Sequence, residues 1–323
     1  MSRNITRRDA LAVFGGLAAF GIAACSDTSS DGSPSDHGQF KIGVLQLTEH
    51  KALDAANAGF VQALDAAGLK YTIDQQNAQN DQSACQTIAS KLVNDGNDLI
   101  LAIAACQAVA GATADIPIVG TAITDYAASG LVADNDAPGG NVTGTSDLTP
   151  VEEQFDLLRK LLPNAKRVAV LYCTAESNSS VQAGMAHDAA SARNLDAEDY
   201  TVSSSNEIQQ VVESMIGKVD VIYAPTDNTI AAGMQTVAMV ATENKLPIIC
   251  GESGMVGNGG LATYGIDYGK LGRKAGEMAV RILNGEAKPA EMPIEHLDVS
   301  ECTLTTNEEA AKTLGIDLSV LDA

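Results

Sequence analysis

Residues 138–150, PGGNVTGTSDLTP, separate two stretches written on one plan, and this repetition restricts the fold more than any single motif does. Before it, strand-like KIGVLQ from Lys41, a helical pattern, YTIDQQ, a helix opening at Asp81, DLILAIA, a helical turn and IPIVGTAITD follow in order. After it the order recurs: RVAVLY from Arg167, a helix, EDYTVS, a helix from Asn206, VDVIYAPTD, a helix from Asn228 and LPIICGES. Short, continuous apolar runs suit strands whose sheet is covered by helices on both faces, so each stretch reads as a parallel sheet between helix layers. The expected architecture is α/β: two doubly wound, Rossmann-like lobes joined by a multi-strand hinge. Gly139, Gly140 and Gly144 supply backbone freedom at the crossover.

At 323 residues the chain exceeds one ordinary core, and two lobes of roughly 120 to 150 residues suit the usual domain size. Hydrophobic residues make up 45% of it, enough to fill two cores. The net charge of −21, from 41 acidic against 20 basic residues, repels phosphates and argues against nucleic acid as a partner.

The opening MSRNITRRDALAVFGGLAAFGIAAC has a basic start, an apolar run of about 15 residues and a small-residue end, which make an export signal too short to span a membrane comfortably. Arg7-Arg8 resembles the twin-arginine signal pattern, with Ala10 where Phe is usual. Ile22-Ala23-Ala24-Cys25 resembles a bacterial lipobox, in which the chain is cut before the Cys and its thiol receives a diacylglycerol. Residues 1–24 then form the signal, and Cys25 with the polar stretch to residue 39 forms a lipidated tether holding the protein to the outer face of the membrane. The remaining cysteines, Cys85, Cys106, Cys173, Cys250 and Cys302, are odd in number. Cys85 and Cys106 are placed either to pair or to sit as buried thiols. No C-x-x-C occurs and the four histidines are scattered, so neither a metal nor another cofactor is expected.

Ligands of open parallel sheets bind at the carboxyl ends of the strands, and several such ends are polar here. The first strand runs into Gln46, Thr48, Glu49 and His50, the last two equally suited to capping a helix. The fourth ends at Thr124-Asp125-Tyr126. Thr149-Pro150-Val151-Glu152 and Ser204-Ser205-Asn206-Glu207 read as capping boxes, and Asp147 lies between the lobes. Asn178, Ser179 and Ser180 open a helix whose amides and dipole favour a carboxylate. Asp227, beside Thr226 and Asn228, is placed either to hold an ammonium or to cap the next helix. After the weak strand LATYGIDYG, the helix DYGKLGRKAGEMAVRILNG returns to the first lobe and the tail crosses back. The lobes are therefore expected at 40–146 with about 268–285, and at 147–267 with about 286–323.

The stretches KIGVLQLTEHKALDAANAGF, NDLILAIA, GTAITD, PGGNVTGTSDLTPVEEQFDLL, VLYCTAESNSSVQ, VDVIYAPTDNTIAAG and GIDYGKLGRKAGEMAVRILNG together resemble the lipoprotein substrate-binding components of ABC importers, in the TrpX-like branch of the type I periplasmic-binding fold. The resemblance implies capture of a small zwitterion by hinge closure, an amino acid with aromatic side chains favoured, and delivery to a permease and an ATPase. By position it implies that Gln46 and Glu49 line the first lobe and Asp147 the hinge. Asn178 and Ser179 would take the carboxylate, Asp227 and Asn228 the amino end, and Asp267 would stand at the return crossing. Relatives commonly carry Thr-Pro at Ala105-Cys106 and Pro at Tyr126, which points to a changed side-chain pocket.

An enzyme on the same fold is the first rival. No G-x-G-x-x-G, Walker loop or G-x-S-x-G supports it, since Gly251-Glu252-Ser253-Gly254 has its second glycine one place early. A sensory binding protein that presents its ligand to a receptor is the second, and an export signal in place of a DNA-binding helix pair argues against a repressor.

Overall fold

The computed structural model describes residues 39–321; the export signal, Cys25 and nearly all of the tether lie outside the described residues. The first lobe is laid down as β1 (Phe40–Gln46), α1 (Lys51–Ala66), β2 (Tyr71–Asn77), α2 (Gln82–Asn94), β3 (Leu99–Ile103), α3 (Cys106–Ala112), β4 (Ile118–Ile123) and β5 (Val142–Ser146). The second follows with α4 (Val151–Leu161), β6 (Arg167–Cys173), α5 (Ser177–Ala192), β7 (Asp196–Val202), α6 (Ile208–Met215), β8 (Val221–Ala224), α7 (Asn228–Ala232), α8 (Met234–Glu243), β9 (Ile248–Cys250), α9 (Ser253–Gly257) and β10 (Ala262–Gly265). The chain then adds α10 (Tyr268–Leu283), β11 (Glu295–His296), β12 (Thr303–Thr306) and α11 (Glu308–Leu314).

Two six-stranded sheets result, ordered β11-β5-β4-β3-β1-β2 and β12-β10-β9-β8-β6-β7. The first five strands of each occupy equivalent places, so the duplication read in the sequence is a duplication of topology. The sixth strands differ: β11 runs parallel to β5, whereas β12 is antiparallel to β10.

Successive side chains of a strand face opposite sides, and each sheet uses this to feed two cores. Leu99, Leu101 and Ile103 of β3 pack under α1 and α10, while Ile100 and Ala102 pack toward α2 and α3. Val168 and Val170 of β6 face α4 and α5, and Ala169 and Leu171 face α6 and α8. The four cores stay within their own lobes.

The last segment departs from expectation. Residues 286–297 do not belong to the second lobe: β11 pairs with Thr145 and Ser146 of β5, and the Ile294 amide bonds to the Asn135 carbonyl, both in the first lobe. The final crossing falls between β11 and β12. A two-residue strand carrying Glu295 and His296 has no apolar pattern to announce it. Neither expected capping box forms as read. The Thr149 hydroxyl turns to Gln182, 3.4 Å away, and Glu207 reaches back to the amide and hydroxyl of Ser203. The five described cysteines are free, Cys85 and Cys106 among them.

Helix α10 is held to the first lobe by backbone-to-backbone packing on α1. A Cβ at Gly272 would lie 1.9 Å from the Ala56 carbonyl oxygen, and one at Gly276 would lie 2.6 Å from the Ala63 Cβ. Such contact leaves no room for a methyl group without moving a helix. In α5, by contrast, nothing lies within 4 Å of a Cβ built on Gly184. Gly272→Ala is expected to cost about 1–3 kcal/mol and lower the melting temperature, whereas Gly184→Ala is neutral or raises stability by up to about 1 kcal/mol. Paired denaturation curves check both.

Candidate functional site

The carboxyl ends of the two sheets face one another across a cleft that has two connected compartments. The outer one, open to solvent, encloses about 590 Å³ of space between atoms and the solvent above it. Its first-lobe wall combines apolar Leu47, Ala104, Ala105, Cys106, Ala108, Ala122, Ile123 and Leu131 with polar Gln82, Gln107, Thr124 and Ser129; the second lobe contributes Ala175, Glu176, Ser177, Asn178 and Asn228. The inner compartment is smaller, about 270 Å³, and polar, with His50, Asp147, Asn178, Thr226, Asp227, Asn228, Glu252 and Tyr268 around it. Ala122, Asn178 and Asn228 belong to both.

The apolar wall depends on unusual backbone. Ala104 and Ala122, at the ends of β3 and β4, have φ of 55° and 56°, in the left-handed region that favours glycine. The pairing of β4 with β5 slips between Gly120 and Ile123, a bulge that re-aims the end of β4. Cys106 is fully buried, and burial pushes its thiol up to about 12, so at neutral pH it serves as a small apolar surface.

Tyr126 does not face the ligand space. It lies buried beneath the sheet, its hydroxyl donating to the Thr145 carbonyl at 3.1 Å. A Cβ at either Gly120 or Gly144 would come within 2.5 Å of that hydroxyl, so the ring fills space two glycines leave open. Of the two departures from relatives noted above, only Ala105-Cys106 alters the cleft.

The polar compartment is built from helix caps. Asp227 caps α7, accepting from the Ile230 amide at 2.7 Å, and also takes the Cys173 amide at 2.6 Å and the Ser179 hydroxyl at 2.8 Å. Glu252 caps α9 through the amides of Gly254 and Met255. Glu176, at the start of α5, accepts from the amide and side chain of Asn228 and from the amide and hydroxyl of Thr229. Asp147, in the hinge, accepts from Thr124 at 3.0 Å and Tyr268 at 2.8 Å.

Burial dominates the electrostatics. It raises Asp147, against the pull of the Tyr268 and Thr124 hydroxyls, and it raises Asp227, with the Glu176 charge adding to the effect. Glu252 is pushed up to about 6 by burial, opposed by its two amides and by Lys51 across the cleft. His50 is pushed down by burial, although its bond to Asn228 and the charges of Asp54 and Glu176 act the other way. Among the described residues, none of the four carboxylates forms an ion pair with a lysine or arginine.

The residues singled out in the sequence divide accordingly. Thr124, Asn178 and Asn228 line the outer compartment, and Asp147, Asp227, Asn178 and Asn228 the inner one. Gln46 is buried beside the cleft, donating to the Thr48 carbonyl and to Asp54. Ser179 is fully buried and spends its hydroxyl on Asp227, so it is not free for a ligand carboxylate. Glu49 is exposed, and Asp267 caps α10 in a separate groove with Lys51 and Glu252. Glu176, Glu252 and Tyr268 went unmarked. A glutamate just before a helix was the available signal for the first two, and it cannot distinguish a surface cap from a buried one.

Several bonds join the lobes directly: His50 to Asn228 at 3.1 Å, Asn80 to Thr229 at 2.9 Å and Gln182 to Thr124 at 3.3 Å. Each is worth about 0.5–1.5 kcal/mol net, a set weak enough to break and re-form.

Known proteins are similar to this chain in sequence and fold. A "Tyrosine-binding protein" of Clostridioides difficile is 44% identical over 305 residues, 92% of this chain and 87% of that protein. The crystal structure of an ABC domain in complex with L-Trp from Streptococcus pneumoniae is 40% identical, with a TM-score of 0.85 over 88% of this chain and 98% of its own. The ligand-free, open structure of a substrate-binding protein with adhesive properties from Clostridium difficile is 46% identical, covering 86% of this chain and 95% of its own, with a TM-score of 0.66. The family model described as ABC transporter substrate binding protein matches residues 41–320, all but the first two and the last of the residues whose fold is described above. With that match across most of its length and relatives 44% and 46% identical, this chain belongs to the ABC transporter substrate-binding proteins.

Proposed function

We propose that the protein captures an aromatic L-amino acid by closing its lobes and releases it unchanged to an ABC permease driven by its ATPase. The division of the cleft carries this reading: an outer compartment with one wall of small and aliphatic side chains opens into a polar one whose buried carboxylates form no ion pair with a lysine or arginine. Burying like charges together is unfavourable, and an ammonium supplied by the ligand reverses the sign of that term. The first turn of α5, with its unpaired amides, suits the ligand carboxylate, and the small first-lobe side chains suit the ring.

Shape supports the closing step. The lobes follow the complex with L-Trp more nearly than the ligand-free, open structure, even though the latter is the more similar in sequence. A ligand that touches both lobes binds the closed form better and shifts the population toward it. The names of the relatives, tyrosine-binding and bound to L-Trp, support an aromatic side chain.

Among the sequence-marked residues, Asp147 is assigned to the ammonium, with Asp227 and Glu252 completing the acidic surround. Thr124, Asn178 and Asn228 contact the ligand at the junction of the compartments. Gln46, Ser179 and Asp267 support the walls, and Glu49 makes no ligand contact. At the N-terminus, acylation of Cys25 ties the protein to the outer face of the membrane, reached by twin-arginine export. The support is the sequence pattern itself, together with the fact that no helix among the described residues is long and apolar enough to cross a membrane.

A thermal-shift screen of the purified protein against all amino acids tests the ligand class. Aromatic L-amino acids at about 100 times their Kd should add about 2.7 kcal/mol, raising the melting temperature by about 5–10 °C. A rise with sugars or aliphatic amino acids alone would refute the reading. Asp147→Asn is nearly isosteric and should cost about 1–3 kcal/mol of binding by calorimetry. Asp227→Ala, which strips three donors of their acceptor, should cost about 1–3 kcal/mol of stability even without ligand. Cys25→Ser should move the protein from the detergent-extracted membrane fraction to the soluble one.

A further inference from the structure

The protonation pattern of His50 follows from its neighbours. Asn228 donates its Nδ2 to a Glu176 carboxylate oxygen at 2.7 Å, which turns its Oδ1 toward the imidazole Nε2, 3.1 Å away. A carboxylate only accepts, so the amide is held in this orientation. An amide oxygen also only accepts, so Nε2 carries the proton. Burial favours the neutral ring, in which Nδ1 is left with a lone pair and no hydrogen. That Nδ1 is buried and has no hydrogen-bond partner. The ring lines the inner compartment with Asp147, Asp227 and Glu252.

A buried acceptor without a donor is costly, and such atoms concentrate where a ligand completes them. Each carboxylate of the compartment already has donors from the protein; His50 Nδ1 has none. We infer that His50 Nδ1 accepts a hydrogen bond from the protonated amine of the bound ligand, so that Glu176, Asn228 and His50 form a relay that orients this acceptor across the cleft. The inference rests on the amino-acid reading above and adds a ligand-contacting residue to it. An amine fits better than a hydroxyl because only the amine also brings a positive charge to the neighbouring carboxylates.

The relay links recognition to closure. His50 opens α1 in the first lobe and Asn228 opens α7 in the second, so Nε2 finds its acceptor only when the lobes meet. The tautomer that presents Nδ1 to the ligand is thereby fixed in the closed form.

Calorimetry with the full-length protein tests this, using L-tryptophan, L-tyrosine, indole-3-lactate and indole-3-propionate. The readout is the ratio of affinities for the amine, the hydroxyl and the unsubstituted acid. His50→Gln places an amide nitrogen near the Nε2 position and removes the Nδ1 acceptor; the preference for the amine over indole-3-propionate should fall by about 10-fold or more. His50→Asn has an oxygen able to take the Nδ1 position while losing the bond to Asn228, and should keep most of that preference with a uniform loss of affinity. An unchanged ratio in His50→Gln, or equal losses for every ligand in both variants, overturns the inference and leaves the amino-acid reading standing. Equal binding of indole-3-lactate and L-tryptophan by the unaltered protein also overturns it. Failure of the unaltered protein to bind either amino acid overturns the parent reading itself, before any variant is made.

Discussion

The cleft is organised by buried carboxylates that, among the described residues, no lysine or arginine pairs. Asp147, Glu176, Asp227 and Glu252 are each nearly inaccessible to water. Amides and hydroxyls hold them without a cation at ion-pair distance among the described residues. Such a cluster is tolerable only because helix starts supply donors. The first amides of α7 and α9 have no intrahelical partners, and Asp227 and Glu252 satisfy them. The requirement that every helix start find an acceptor therefore places acids along the carboxyl edge of the second sheet. Closing the first lobe over that edge converts ordinary caps into a cation-seeking chamber.

Not every cap takes part. Asp81 caps α2 and Asp267 caps α10 in the same manner, yet both stay exposed to solvent. What separates them from Asp227 and Glu252 is the strand end each one follows. Those after β8 and β9 lie near the middle of the second sheet and face the other lobe, whereas Asp81 follows an edge strand and Asp267 a hinge crossing. Topology decides which caps are buried against the other lobe, where burial raises Asp227 and Glu252, and which stay at the surface.

The same distinction explains what the sequence disclosed. Continuous apolar runs such as LILAI and VAVLY fix strands with covered faces, so the duplicated architecture was legible. β11 was not, because two polar residues paired to a sheet edge carry no pattern. Within the site, residue type identified Asp147 and Asp227 but not their states. Whether an aspartate caps a helix in water or inside a chamber depends on a partner lobe far away in the chain. Tyr126 shows the converse. A tyrosine at a strand end reads as a cleft residue, and only Gly120 and Gly144, distant in sequence and adjacent in the sheet, reveal the hollow that takes its ring beneath the strands.

The apolar compartment is shaped by small residues held in a costly conformation. Ala104 and Ala122 adopt left-handed backbone at about 1–2 kcal/mol each relative to the right-handed form. Glycine would relieve that strain, but it would also remove the methyl group that each presents to the cleft. Larger side chains would keep the strain and fill the space, since both lie on the wall of the compartment. Alanine at these two positions is therefore a compromise between backbone energy and room for a ring. On the proposed reading it places shape selection in the first lobe and divides charge selection among His50, the hinge Asp147 and the second lobe, so that full affinity requires both lobes to meet.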